Sequence, residues 1–589
     1  MTDSVAHRGP DASGHYLEGP VALGHQRLAV IDLSGGAQPM IARDESGRDT
    51  AALVFAGEIY NYKKLRQELV DNGVRFLTNS DTEVVLRAYL AWGESAFVKF
   101  AGMFAIVLWD AARQRMVMAR DRSGIKPLYY QDIRNGVVFG SEPKALLAHD
   151  LIEPIADMAS IANTIDMTKV PGTTPYRDMW ELKAGTTRVY TRAGVKEDRY
   201  WRLATAVHGE TYADTVEKGR EIFDSVLAEQ AHADVPVGSL LSGGLDSSLI
   251  TAAAARLPIA EALASFSLEF TSTEEFSKDF VRGSEDAPYA RDLATWAGTI
   301  HHEVIVASDA MLEPEVRDSV SRAVDGPTAF WGDMWPSLYI LFQEVKQHVT
   351  VALSGEGADE VFGGYHWFHN PAARSFEGFP WLTPGSSRYF GGAALWNDTF
   401  KKDLATDERR RTSYLEAVAE IDFLPEEGPA ERQFRTISYL SITRFMQTLL
   451  DRKDRMSMAS GLEVRVPYCD HRLIEYVYNV PWVMKAEGGR VKGLLQDIAG
   501  ERIPNSIRVR KKSPYPVTQE SSYERGLRSQ VKTILEDKQS PVRDFLDLPK
   551  AAVAAGREVT GNSMAHHRGS LELTIALNTW MRDYDVQIW

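Results

Sequence analysis

Val235-Pro236-Val237-Gly238-Ser239-Leu240-Leu241-Ser242-Gly243-Gly244-Leu245-Asp246-Ser247-Ser248, with the apolar run of residues 249–257 behind it, decides the fold of this 589-residue chain. The first seven residues read as a buried strand. Pro236 stands at its start, where a missing N–H is tolerated. Residues 249–257 read as a helix, so the order is strand, tight loop, helix. The glycine pair lets the backbone turn sharply and approach a ligand closely. Serine hydroxyls and the free N–H groups of a helix start suit an anion. The lysine of a Walker A loop is absent.

The hexapeptide Ser-Gly-Gly-Leu-Asp-Ser of residues 242–247 resembles the pyrophosphate loop of the N-type ATP pyrophosphatases. These enzymes split ATP between the α and β phosphates and adenylate a substrate. A lone Ser-Gly-Gly would read as an ordinary turn before a capped helix; the full match at a strand–helix junction favours phosphate. The resemblance implies ATP and pyrophosphate binding by Ser242, Gly243, Gly244, Asp246 and Ser247, with Asp246 helping to hold Mg2+.

Working outward, residues 349–353 are a second buried-strand candidate. They run into Ser354-Gly355-Glu356-Gly357-Ala358-Asp359-Glu360 and then Val361-Phe362-Gly363-Gly364-Tyr365. A carboxylate between two glycines is laid bare by its neighbours, which suits a group that must meet substrate; the plainer reading is an acidic surface turn. Two such loops, each after an apolar strand, fit the C-terminal crevice of an open α/β sheet. A third piece is Arg508-Val509-Arg510-Lys511-Lys512-Ser513-Pro514-Tyr515. A charge run is usually a solvated face. In an ATP-splitting enzyme it also supplies the cation that developing negative charge requires.

Residues 1–201 read as a β-rich domain, from short apolar runs at residues 21–23, 28–31, 51–55, 104–109, 115–119 and 136–139. Helices are expected at residues 62–72 and 82–93. The pattern changes after Arg199-Tyr200-Trp201, and residues 202–589 form the second domain, mostly helical from about Thr412. Residues 376–392 read as a surface excursion. Residues 325–339 are rich in aromatics, with Phe330, Trp331 and Trp335; core packing is the plainer reading and a substrate pocket the functional one. Lys+Arg 66 against Asp+Glu 81 gives a net charge of −15, which argues against broad nucleic-acid or anionic-membrane binding. No run of 18 apolar residues and no signal peptide is present, and the single cysteine, Cys469, excludes an internal disulfide. A cytoplasmic protein is expected.

Together these pieces resemble the asparagine synthetase family over nearly the whole chain. The resemblance extends to His7-Arg8-Gly9-Pro10-Asp11, residues 24–32, Gly57-Glu58-Ile59-Tyr60-Asn61, Ser80-Asp81-Thr82-Glu83, residues 120–130, Ser141-Glu142-Pro143-Lys144 and residues 451–470. It implies an N-terminal-nucleophile αββα glutaminase-like domain and an α/β ATP pyrophosphatase (PP-loop) synthetase domain. The implied reaction is ATP-dependent amide formation through an acyl-adenylate, releasing AMP and pyrophosphate, with asparagine as default product. By position, Arg27, Gly57, Glu58 and Asp81 match glutamine-holding residues. Leu241 and Leu268 match adenine-pocket backbone positions, and Ser354 and Gly355 would touch ATP. Glu356 matches the residue implicated in forming the acyl-adenylate and in the amine's attack on it, and Lys512 the lysine that steadies it, with Lys511 next. Asp246 and Asp359 would hold Mg2+ through pyrophosphate. ATP, Mg2+, a small-molecule acid and ammonia or an amine donor are the expected ligands; a homodimer is left open.

The family's nucleophile is a cysteine a few dozen residues before the Arg-Gly-Pro-Asp block, which here starts at Arg8. The family's Asn-Gly-Glu reads Ala56-Gly57-Glu58. Loss of one oxyanion donor costs about 10²–10³ in rate. This chain is therefore expected not to hydrolyse glutamine, either because its start lies upstream or because it uses free ammonia or another amine. Two rival readings are the same chemistry on another acid or amine, and a pseudoenzyme kept as a binding partner; the intact loop, Glu356 and Lys512 speak against the latter.

Overall fold

The computed structural model describes residues 1–258, 262–271, 284–328, 332–383, 392–559 and 564–589. Phe330, Trp331 and residues 384–391 of the expected excursion lie outside these. The N-terminal region is built on period-two alternation. In the strand Asp49–Ile59, Leu53 and Phe55 face one way, onto Leu65, Leu69, Val84 and Val85 of the helices Tyr62–Asp71 and Asp81–Trp92. Ala52 and Val54 face the other way, onto Tyr16, Leu23, Leu128 and Tyr130 of a second strand layer. The strand thus sits in an antiparallel six-stranded sheet with helices on one face and further strands on the other.

Residues 28–31 are not a strand. Val30 and Ile31 are buried, but Asp32 has φ 47°, and the Arg27 guanidinium donates to the carbonyls of Ile31, Asp32 and Leu33 at 3.3, 2.8 and 2.7 Å. Backbone turned this way has no extended edge to pair.

The second region is organised by a five-stranded, all-parallel sheet. Its strands are β1 (Val237–Leu240), β2 (Ala264–Phe270), β3 (Ile300–Val306), β4 (Val351–Leu353) and β5 (Glu463–Arg465), in the order β3-β2-β1-β4-β5. All of β4 is buried, as a central parallel strand covered on both faces requires. Pro236 precedes β1, and its carbonyl accepts the N–H groups of Thr350 and Val351. From β1 the chain proceeds outward to β2 and β3, then returns to the other side of β1 as β4. The strand order reverses between β1 and β4, so the loops after these two strands meet at the C-terminal edge of the sheet. Ligands bind open parallel sheets at such a switch point.

Three helices carry the site: α1 (Leu245–Ala254), α2 (Ala358–Phe362) and α3 (Met446–Ala459). α1 begins at Leu245, earlier than the apolar run suggests. Gly243 takes φ 69° to make the turn and Gly244 serves as the N-cap, so Asp246 and Ser247 ride in the first helical turn.

Candidate active site

The loop after β1 is closed by its own serines. The Ser242 N–H donates to Ser247 Oγ at 3.1 Å, and the two hydroxyls lie 3.0 Å apart. Arg510 braces it from outside, donating to the Gly243 carbonyl at 3.1 Å while its other nitrogen meets Asp286 at 2.6 Å. The loop after β4 comes up against it: a Cβ on Gly355 would stand 2.9 Å from the Ser247 nitrogen. Leu241 and Leu268 lie at the C-terminal ends of β1 and β2, both buried, with the Leu241 N–H donating to the Phe266 carbonyl. Ser354 is buried and its hydroxyl accepts the Glu356 N–H at 3.4 Å.

Above these loops stand two carboxylates and two lysines. Lys492 Nζ lies 2.6 Å from Asp246 Oδ2 and 2.5 Å from Asp359 Oδ1. Lys512 pairs with Asp359 Oδ2 and lies 4.8 Å from the Tyr365 ring centre. Asp359 thus has two cations and Asp246 one, and they titrate apart. Burial works against ionisation of both, yet Lys492 and Lys512 hold Asp359 down at about 2, whereas burial leaves Asp246 above the usual carboxylate range. Gly364 makes the cluster sterically feasible: a Cβ there would fall 1.9 Å from Asp359 Oδ1 and 2.1 Å from Lys492 Cε. Of the basic run, Lys512 reaches this cluster while Lys511 is exposed.

Glu356, from the same loop as Gly355, faces α3. Its Oε2 lies 3.1 Å from Lys453 Nζ and 4.0 Å from Arg452 Nη2. Burial pushes Glu356 up, but Lys453 and then Arg452 outweigh it and hold it below the usual range. Glu360, one helical turn on, has the opposite fate: burial and the charges of Asp359 and Glu356 raise it to about 8, and the Tyr365 hydroxyl donates to it at 2.6 Å.

In the N-terminal region, Arg27, Gly57, Glu58 and Asp81 line one cavity of about 470 Å³. Gly57 has φ 127°, and a Cβ there would strike the Met103 carbonyl at 2.0 Å. Burial pushes Asp81 up to about 6 despite the N–H groups of Ile59 and Thr82. Burial raises Glu58 well above the usual range, reinforced by Asp81 and Glu463; its nearest cation is Arg465 of β5, 3.8 Å away. The cavity therefore abuts the synthetase sheet.

The description asparagine synthase fits residues 218–582 as a family, and glutamine amidotransferase domain fits residues 1–201. The chain belongs to the asparagine synthase family. It is 37% identical to the glutamine-hydrolyzing asparagine synthetase 3 of Bacillus subtilis, over 93% of this chain and 88% of that one. Asparagine synthetase 1 of the same organism is 31% identical over 92% and 87%. The amidase chry2 of Gibberella zeae is 30% identical over 82% and 78%.

The two loops read from the sequence do meet in the structure, but three charged groups beside them were missed. Lys492, Lys453 and Arg452 were not singled out. Lys492 did carry a signal, since it stands in Gly488-Gly489-Arg490-Val491-Lys492-Gly493, among glycines as Glu356 is, and takes φ 54°. Lys453 lay within the resembling block of residues 451–470 but had no signal of its own: the run Asp451-Arg452-Lys453-Asp454-Arg455 looks like a solvated face, and Arg452, Lys453, Asp454 and Arg455 are buried in α3. Trp335 packs into the core, as the plainer reading had it.

Proposed function

We propose that this ligase adenylates a carboxylic acid with ATP and then joins it to ammonia, with aspartate and asparagine as the default pair. One observation carries the reading: two half-buried carboxylates, Asp246 and Asp359, are bridged by the buried Lys492 beside the Ser242–Ser247 turn, with Glu356 on the adjoining loop. The α1 N-terminus and the serine turn receive the β and γ phosphates, and backbone at Leu241 and Leu268 borders the base. A carboxylate oxygen of the acid attacks the α-phosphorus, and the bond to the bridging α–β oxygen breaks, releasing pyrophosphate. Lys512 and Lys492 follow the charge on the α-phosphate. The amine then attacks the acyl carbon, the carbon–oxygen bond to phosphate breaks, AMP leaves, and Glu356 accepts the proton from nitrogen.

Mg2+ fits this cluster. Asp246 Oδ1 is buried without a hydrogen-bond partner, and both acids offer hard oxygens. Among the described residues no group of three or more His, Cys, Asp or Glu is placed to hold a metal. Asp246 and Asp359 would therefore share the ion with phosphate oxygens, and the ion would neutralise pyrophosphate as it leaves.

Residues 1–201 are proposed as a glutaminase-like domain in which Ala56 stands at the position that the resemblance gives to an oxyanion-donating Asn, and residues 202–589 as the synthetase. Cys469 is buried beneath Glu356, with Sγ donating to the Glu356 carbonyl at 3.7 Å. No helix among the described residues is long and apolar enough to cross a membrane. The test is pyrophosphate release screened over candidate acids, with ammonium and with glutamine, and the mass of each product. Acid-dependent release yielding the amide supports the reading; no release with any acid overturns it.

A further inference from the structure

Among the described residues the cation nearest Glu356 is Lys453, to which the proposed ATP-cleavage step assigns no part. Lys453 Nζ lies 3.1 Å from Glu356 Oε2, and the two side chains keep 10% and 17% exposure, so the pair borders the crevice rather than the core. Lys453 is held rigidly. It sits in α3, where the next two residues are tied to the N-terminal region: Asp454 meets Arg8 at 2.8 Å and Lys126 at 3.3 Å, and Arg455 donates to the Tyr129 hydroxyl at 2.7 Å. Its ammonium also lies 5.7 Å from the Phe342 ring centre. A lysine so fixed, presented to one carboxylate at the edge of a crevice, constrains that carboxylate's direction as well as its charge.

We propose that Lys453 is the positioning residue of the amide-forming step, holding the Glu356 carboxylate where it takes the proton of the attacking amine. This rests on the reading of Glu356 as that proton acceptor. As the nitrogen–carbon bond forms and the carbon–oxygen bond to AMP breaks, the nitrogen's proton passes to Glu356; Lys453 itself gives and takes none. The groups around Glu356 show why a cation is needed. Asp359 on its own segment opposes its charge, Glu360, raised to about 8, and Tyr365, Tyr515 and Cys469 face it as neutral groups, and Arg452 stands farther off than Lys453. Without Lys453, burial and Asp359 would raise Glu356, and Arg452 alone would be left to hold its charge and direction as the amine arrives.

The experiment separates the two half-reactions in the full chain. Acid-dependent exchange of labelled pyrophosphate into ATP reads adenylation; amide formation with ammonium, followed against pH, reads the second step. Lys453→Met should keep exchange near the parent rate while kcat for the amide falls by about 10². The acidic limb of its pH profile should move upward by about one unit or more, since an opposite charge within 4–6 Å shifts a carboxyl by about 1–3. Lys453→Arg should restore most of the amide rate and return the limb. Amide formation by Lys453→Met at the parent rate and with the parent limb would overturn the assignment. So would equal loss of both half-reactions in Lys453→Met and Lys453→Arg, which marks a structural lysine. Absence of exchange in the parent with every acid strikes the ligase reading itself, and this assignment with it.

Discussion

Replacing Lys492 by methionine tests the carboxylate cluster most severely. The side chain is 4% exposed, its ammonium touches both Asp246 and Asp359, and methionine keeps nearly the same length without the charge. Two carboxylates then share a pocket with Lys512 alone, and Lys512 reaches only Asp359. Removing one member of a buried pair costs about 3–5 kcal/mol. The two acids keep 22% and 16% side-chain exposure, so the lower end, about 3 kcal/mol, is the figure expected here. The pH dependence has a definite sign. Asp246 already sits above the usual range through burial, and loss of Lys492 raises it further. A carboxyl raised by folding contributes stability below its unfolded value and loses it as pH rises through its folded one. The deficit of the variant should therefore be small in acid and full at neutral pH. Thermal denaturation of parent and variant across pH measures it, beside acid-dependent pyrophosphate release, which should fall by about 10² or more. Mg2+ with pyrophosphate should stabilise the variant more than the parent, since the ion supplies the missing charge. A variant that melts with the parent at every pH, and is no more sensitive to the ion, would mean that solvent satisfies both acids and that Lys492 is dispensable.

Asp246→Ala should abolish pyrophosphate release with a much smaller loss of stability than Lys492→Met, because Lys492 retains Asp359; near-parent release by the folded variant would remove Asp246 from the phosphate site. Lys512→Met should bind ATP as the parent does yet form amide about 10²-fold more slowly; product at the parent rate would leave Lys512 as a structural partner of Asp359, and equilibrium ATP binding beside product mass decides it. This chain should make amide from ammonium and not from glutamine, and glutamate release above background would refute that.

The amino-acid sequence alone determined that a strand, a loop and a helix follow one another within residues 235–257, that a second loop lies at residues 354–360, and that strands alternate in the N-terminal region. These features are local: a glycine turn, a period of two and an uninterrupted apolar run act within a few residues and need no partner. The same periodicity misplaced residues 28–31, where the adjoining Arg27 folds back and donates to the carbonyls of Ile31, Asp32 and Leu33. The start of α1 also shifted forward, because the cap is set by Gly244 rather than by the first apolar residue.

What only the tertiary structure decided is which charges meet. Lys492 lies 246 residues from Asp246 in sequence and bonds to it. Lys453 comes from α3 to Glu356, and Arg465 of β5 comes to Glu58 across the two regions. Burial on its own leaves Asp246 reluctant to ionise, while a second lysine makes Asp359 a strong acid, and nothing in either acid's neighbouring residues distinguishes the two. A charged side chain read in sequence is a solvated group by default. It acquires a direction, a partner and a shifted affinity for protons only when packing removes water and leaves one counter-charge within reach, and that choice is made by the order of strands in the sheet.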